Sequence, residues 1–430
     1  MSFPLLTLFV FGLFTPWVSA VPSGIQKQSF KVERVRNEEF RGHNGPRQLL
    51  KAYRKYGLPI SPELVEAVNL QEEERLEELQ RTDLQRRAMF KSKRPRTNEK
   101  GTSSGIVAAR PESGDIEFLS PITIGGQTIT VDFDSGSADL WVFSSQLSPR
   151  SVVGHQVYDH TKSSTFSMIP DQNFAIKYGD GSTASGNVGT DTVEVGGVTV
   201  TGQAVEMATS VSTSFINDVP NNGMLGLAFS KLNQVTPTQQ KTFFENVMPS
   251  LAEPVWTADL RKGQVGAYEF GRIDHAKYTG DLTWIPSNTT RGFWKFDTSG
   301  FSVGSSTAPL KQISTGHAIA DTGTTLMLVA KEVSDAYWEQ VPGAKFMPTV
   351  GGIAFPCNST LPDLFIDVGG AYAAKVRGHD INFTTLKNGF CYGGVQPTPS
   401  KLQIWGNVFF RSQFVVFNGG NHSLGMAPHV

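Results

Sequence analysis

Two short segments of the chain carry carboxylates in a setting that suits acid–base chemistry. Asp134-Ser135-Gly136-Ser137 and Asp321-Thr322-Gly323-Thr324-Thr325 lie 187 residues apart, each an aspartate followed by a hydroxyl, a glycine and a second hydroxyl. Two carboxylates in contact resist joint ionisation, so one pKa falls, the other rises and a single proton is shared. The ionised member can take a proton from water while the protonated member donates to a carbonyl oxygen. That is hydrolysis with neither a metal nor a covalent nucleophile. A glycine in each segment lets backbone approach the carboxylates closely. Taken alone, the first segment does not single out Asp134: Asp132 and Asp139 are neighbours, and period-2 strand geometry puts Asp132 on the same face.

What singles it out is repetition. Each segment follows an apolar approach, Ile129–Phe133 and Ala318–Ala320, and precedes another apolar run, Leu140-Trp141-Val142 and Leu326-Met327-Leu328. Each also has a downstream partner ending in glycine, Met224-Leu225-Gly226 and Ile404-Trp405-Gly406, at separations of 92 and 85 residues. A module that long, used twice, implies two lobes of one plan. From Ile116 onward, short alternating apolar stretches are broken by Gly, Asn, Asp, Ser and Pro; Ile122–Val131, Asp191–Val200, Phe270–Thr283 and Gln403–Phe417 read as strands. Pro237–Val247 and Lys331–Val341 are the best helical signals of the body. The fold class is all-β.

The composition agrees. A chain of 430 residues with 39% hydrophobic residues, 18% charged, 43 Gly and 29 Phe is long enough for two domains and too apolar for disorder. Its net charge of −1 hides a division. Residues 1–100 hold 18 Lys and Arg against 12 Asp and Glu, net +6; residues 101–430 hold 20 against 27, net −7. An acidic body argues against nucleic acid as its partner, and a basic front suits binding to that body. Residues 1–20 are apolar and end in Val18-Ser19-Ala20, a signal-peptide pattern that implies export. Pro4, Gly12 and Pro16 interrupt the run, which argues against a membrane anchor. In an oxidising compartment the two cysteines, Cys357 and Cys391, read as one disulfide; two alone cannot make an ordinary zinc site. Asn288, Asn358, Asn382 and Asn421 begin candidate N-glycosylation triplets.

Residues 21–100 read as a removable segment. Ser61-Pro62 is a helix start, followed by Leu64, Val65, Val68, Leu76 and Leu79 at helical spacing. A basic run, Lys91–Arg96, then precedes the Gly/Ser-rich join Gly101–Gly105.

The paired D-[ST]-G-[ST] segments resemble the active-site motifs of pepsin-like aspartic proteases, and the hairpin Tyr178-Gly179-Asp180-Gly181-Ser182 resembles that family's flap. The resemblance spans about Glu117 to His429 and is nearest to the secreted fungal branch, with penicillopepsin and aspergillopepsin. It implies a bilobal fold of two pseudo-twofold-related, β-barrel-like lobes with a cleft between them. The expected divisions are a signal peptide at 1–20, an activation propeptide at 21–100, an N-terminal lobe at 101–280 and a C-terminal lobe at 281–430. It also implies a monomeric acid endopeptidase, pepstatin-sensitive, with no cofactor or metal, whose partners are protein and peptide substrates and its own propeptide. Neither nucleic acid nor, in the mature form, a membrane is expected to be a partner. Secretion to the medium is the expected destination, an acidic vacuole-like compartment the alternative.

Site roles follow from the same resemblance. Ser135 and Thr322 would lock the two loops together, and Ser137 and Thr324 would hydrogen-bond the outer carboxylate oxygens. Tyr178 would close over substrate and bond Trp141, with Gly179 and Asp180 on the substrate backbone; Asp180 could also pair a substrate lysine. Phe215 and Met224 match positions lining an apolar pocket, and Thr325 matches a substrate-backbone contact. Ala52-Tyr53-Arg54-Lys55-Tyr56-Gly57 resembles an inhibitory A-x-x-K-Y-G stretch, with Lys55 set between the aspartates and Tyr56 beside it. Ser135 in place of threonine keeps its hydroxyl; Asn407 and Asn418, where relatives often have Asp, are not catalytic positions. Two other classes compete: a dead homologue that only binds, which loss of either aspartate would favour, and a two-carboxylate glycosidase, whose acidic residues stand several ångströms apart around a sugar groove.

Overall fold

In the computed structural model, residues 27–36, 44–74, 77, 81 and 118–430 are described, except 179–181, 220, 265 and 315. The signal-peptide and cleavage readings therefore lie outside the described residues, as do Leu76, Leu79 and the flap tip. Among the described residues no helix is long and apolar enough to cross a membrane.

The chain folds as expected, all-β and in two lobes. Phe118–Ile124 and Gln127–Asp134 form a hairpin whose two-residue turn is Gly125-Gly126, with φ of 53° and 79°. Both turn positions need the left-handed conformation that glycine adopts without cost, and this turn matches strand twist. Ile129, Val131 and Phe133 alternate inward along the second strand, each no more than 1% exposed, and so set the register that delivers Asp134 to its end. Asp132–Asp134 runs parallel to Met224–Gly226, which pairs antiparallel with Leu140–Val142 on its other side. The second half repeats the weave: His317–Ala320 is parallel to Leu402–Trp405, which pairs antiparallel with Met327–Leu328. The duplicated motif of the sequence is thus a duplicated topology.

A six-stranded sheet joins the halves in the order Phe30–Glu33, Ala267–Phe270, Val255–Asp259, Gln413–Asn418, Ser423–Pro428, Thr283–Pro286. Its strands come from both sides of residue 280, and its outermost strand from the front segment. Phe30 stacks on Phe270 at 4.7 Å and Trp256 on Phe417 at 3.8 Å, so the sheet is bound by aromatic packing as well as by its ladder.

Some sequence expectations shift in detail. The helical signal at Pro237–Val247 is helix only over Phe243–Val247, because Thr242 and Glu245 form a capping box there. The Phe270–Thr283 run is broken after Phe270 by Gly271 at φ 77° and a turn of 3-10 helix at His275–Lys277. Gln403–Phe417 divides around the short helix Asn407–Phe410. Cys357 and Cys391 form the disulfide, in the C-terminal half. Closing 34 residues stabilises by roughly 3–4 kcal/mol in the chain-entropy account.

Candidate active site

Asp134 and Asp321 both have no exposed surface and converge on one point. Each loop end holds its aspartate from behind: Gly136 N–H donates to Asp134 Oδ1 at 2.8 Å and Gly323 N–H to Asp321 Oδ1 at 3.1 Å. The glycines are required across the pseudo-twofold axis. A Cβ on Gly136 would sit 2.5 Å from Asp321 Oδ1, and one on Gly323 would collide with Asp134. Side chains on either would drive the carboxyls apart.

The loops are laced together reciprocally. Ser135 N–H donates to Thr322 Oγ1 at 3.0 Å and Thr322 N–H to Ser135 Oγ at 2.9 Å. The two hydroxyls then donate onward, Ser135 to Ala320 O at 3.0 Å and Thr322 to Phe133 O at 2.8 Å. Thr324 Oγ1 donates to Asp321 Oδ2. Ser137 departs from this symmetry. Its hydroxyl donates to Met224 Sδ at 3.3 Å, although it lies near enough to Asp134 to help hold that carboxyl down.

The front segment fills the site. The helix Gly45–Lys55 begins at Asn44, whose side chain accepts from Arg47 N–H, and ends with Lys55 at the dyad. Lys55 Nζ stands 2.8 Å from Asp134 Oδ1, 3.0 Å from Asp321 Oδ2 and 3.1 Å from Asp321 Oδ1. Tyr56 donates to Asp321 Oδ2 at 2.6 Å and lies against Phe293, ring centres 5.8 Å apart. Gln48 Oε1 accepts from Thr325 Oγ1 at 2.9 Å, and Tyr53 OH donates to Pro397 O. Gly57, at φ 62°, turns the chain away immediately afterward. The helix expected from Ser61-Pro62 runs over 62–74, with Ser61 Oγ accepting from Leu64 N–H at 3.3 Å; the helix Gly45–Lys55 was not expected from the sequence.

Electrostatics splits the pair. Burial pushes both carboxyls up. For Asp134 the charge of Lys55, hydrogen bonds from Asp321 and Lys55 and the proximity of the Ser137 hydroxyl outweigh it, and the pKa falls to about 2. For Asp321 burial prevails over Lys55, and the charge of Asp134 and the bond given to it add to the rise. Lys55 is desolvated, yet the two carboxylates raise its pKa. Asp132 is pushed up to about 6 by burial, against the pull of Lys51.

On the other wall, Trp141 Nε1 donates to Tyr178 OH at 2.7 Å. Phe215 meets the Trp141 ring edge-on at 4.9 Å and the Tyr178 ring at 5.5 Å, and Met224 packs in the same cluster. Tyr178 N–H donates to Ser182 O at 2.8 Å, closing the base of the hairpin; Gly179 and Asp180 lie outside the described residues. Asn288, Asn358 and Asn421 are exposed and Asn382 is half-buried. Among the described residues no group of His, Cys, Asp and Glu could hold a metal ion. Sequence reasoning missed the contact of Gln48 with Thr325 and the anchoring of Tyr53: Gln48 sits in no patterned stretch, and Tyr53 occupies an unspecified position of the A-x-x-K-Y-G stretch.

Comparison with known proteins agrees with this geometry. Residues 117–429 match the family model described as eukaryotic aspartyl protease. The chain is 42% identical to the aspartic protease PEP3 of Coccidioides posadasii over 96% of its own length and 92% of that protein's. It is 43% identical to endothiapepsin of Cryphonectria parasitica, over 94% and 90%. It is 39% identical to aspergillopepsin-1 of Aspergillus oryzae, over 95% of both chains. With two aspartate loops, a duplicated weave and relatives matched along nearly the whole chain, the protein belongs to the eukaryotic aspartyl protease family, fungal pepsin-like branch, and is an aspartic endopeptidase.

Proposed function

We propose that the chain is the secreted zymogen of an acid endopeptidase whose catalytic residues are Asp134 and Asp321. The observation that carries this reading is the single ammonium of Lys55 bridging both carboxylates. Only groups aimed at a common point can share one small cation, and a water molecule is of similar size.

With Lys55 withdrawn, the pair holds one proton. The ionised carboxylate removes a proton from the bound water, whose oxygen attacks the peptide carbonyl carbon. The protonated carboxyl donates to the carbonyl oxygen as it gains charge. Collapse of the tetrahedral species breaks the C–N bond, and the nitrogen leaves with the proton taken from water. Tyr178, held by Trp141, covers the site from the flap, with Gly179 and Asp180 at its tip over the substrate backbone. Phe215 and Met224 line a pocket for a bulky apolar residue before the scissile bond, and Asp180 extends acceptance to lysine. Thr325, now occupied by Gln48 of the propeptide, takes substrate backbone. The propeptide is residues 21–100, the lobes divide near residue 280, and the mature enzyme acts as a monomer outside the cell.

The test is digestion of a peptide library at acid pH by the acid-activated chain and by Asp321→Asn, with and without pepstatin. Cleavage before or after bulky apolar residues, abolished by pepstatin and reduced roughly 10³-fold by the substitution, is expected. Undiminished cleavage by Asp321→Asn would remove the dyad from the mechanism.

A further inference from the structure

His155 lies on the loop following Ser145, outside the cleft, yet its ring touches both walls of the proposed apolar pocket at their roots. Nε2 is 3.1 Å from Ile216 O, in the short helix Thr213–Ile216 that carries Phe215. Nδ1 is 3.2 Å from Asn222 Oδ1, two residues before Met224. The ring lies flat on Phe143 at 3.9 Å and 11°.

Both partners are acceptors. Ile216 offers a main-chain carbonyl. The Asn222 amide is oriented by its other bonds: Oδ1 accepts from Gln156 N–H at 2.8 Å, and Nδ2 donates to Thr130 Oγ1 at 2.8 Å and Thr130 O at 3.2 Å. Reversing it would set an N–H₂ against an N–H and an oxygen against a carbonyl. A neutral imidazole has one N–H and can satisfy only one of the two oxygens; an imidazolium has two and satisfies both. An acid medium supplies the second ring proton that this pair of acceptors calls for. An imidazolium on the face of Phe143 also gains cation–π attraction.

Charged groups nearby do not substitute for that proton. Asp218, in the turn after Ile216, accepts from Asn221 Nδ2 at 3.4 Å. On the loop of His155 itself, Asp159 pairs Lys162 at 3.3 Å, and Arg150 is exposed. Asp132 is two residues along the strand from Thr130, and Phe143's strand, Leu140–Phe143, carries no charge.

We propose that His155 is a positioning residue for the specificity pocket: doubly protonated, it ties the Phe215 helix to the root of the Met224 strand and fixes the pocket's width in acid. This rests on the reading of Phe215 and Met224 as pocket walls. As the second proton is lost, one tie goes and the Phe215 wall loosens, so discrimination for a bulky apolar residue falls while the dyad is untouched.

Two measurements test this. In acid-activated wild type, KM for a peptide with Phe before the scissile bond should rise between pH 4.5 and 6.5 about three- to tenfold more than for the same peptide with Ala, the range expected for one hydrogen bond. In His155→Gln the Phe-to-Ala preference in KM should already be weakened at pH 4.5 and show no pH dependence, with kcat within about twofold. An equal Phe-to-Ala ratio for wild type and variant at both pH values overturns the proposal. Independently, ¹⁵N NMR of the full chain carrying Asp321→Asn, which stays intact in acid, should show both ring nitrogens of His155 protonated at pH 5. A neutral ring there overturns it whatever the kinetics. Absence of any proteolysis by the wild-type chain would instead overturn the protease reading, leaving the NMR result to decide the role of His155.

Discussion

A buried hydroxyl that both accepts and donates holds more than its own side chain in place. Thr322 accepts from Ser135 N–H and donates to Phe133 O across the junction of the two loops, and Ser135 does the converse. Thr322→Val keeps the shape but leaves a buried N–H and a buried carbonyl without that partner, which costs about 1–3 kcal/mol. Urea unfolding should show this loss, and kcat should fall more than KM rises, because the carboxyls no longer meet squarely. The acid–base chemistry of the two aspartates was legible from the duplicated aspartate–hydroxyl–glycine pattern, whereas the interlock of Ser135 with Thr322 came from the family resemblance. His155, by contrast, stands in no pattern. Its significance comes from two carbonyl oxygens more than 60 positions away, which only folding brings to it.

Between strands, a second carboxyl pair sits behind the first aspartate loop. Asp139 and Glu206, 3% and 1% exposed, both accept from Asn233 Nδ2, at 2.9 and 3.0 Å. Burial raises Asp139 to about 6, against the hydrogen bond from Gln234 N–H. Burial, then the charge of Asp139, raises Glu206 well above the carboxylate range. Because both folded-state values lie above the unfolded ones, the folded chain binds more protons. The stability contributed by this pair is therefore full below about pH 4 and declines as pH rises through about 6 and beyond. Glu206→Gln removes one titration, so urea midpoints at pH 4, 5.5 and 7 should fall less steeply than in wild type; an unchanged slope would assign the pH dependence elsewhere. Strand regions were readable from alternation, but Ile122–Val131 and Asp191–Val200, read as single strands, are each divided into a hairpin by a two-glycine turn, Gly125-Gly126 and Gly196-Gly197, whose positive φ interrupts the alternation; helix starts were displaced where a cap, Thr242, and not the apolar pattern, decided the boundary. The pairing of Asp139 with Glu206 could not be read, because parallel neighbours such as Trp141 and Glu206 are joined by topology and not by sequence distance.

For the molecule as a whole, the front segment and body form one electrostatic unit. Lys55 holds Asp134 down to about 2, overcoming the effect of burial, so the docked state binds fewer protons there than an unoccupied dyad would. Docking is therefore strong above the ordinary carboxylate range, near 4, and weakens as pH falls towards 2. Lys55→Met removes the cation whose charge makes docking acid-sensitive. On the proposed zymogen reading, the full-length chain with that change should cleave an added peptide at pH 5.5, where the wild-type chain should stay latent, as followed by fluorescence of a quenched substrate. Equal latency would show that Tyr56, Gln48 and the helix packing suffice. The opposite charges of front and body, +6 and −7, announced this attraction in the sequence; the place of Phe30–Glu33 in the central sheet was not announced, since four alternating residues are too few to name their neighbour.

That outer strand gives the proposed maturation a further meaning. Phe30–Glu33 covers the margin of Ala267–Phe270 and stacks Phe30 on Phe270. Under the proposed maturation this strand leaves with the front segment, so the margin of Ala267–Phe270 and the ring face of Phe270 must find new cover or be exposed. Cutting the front segment away, as proposed, would thus be a remodelling of the central sheet as well as a release of the dyad: the strand that completes one margin of the fold and the cation that blocks the carboxylates belong to the same piece of chain.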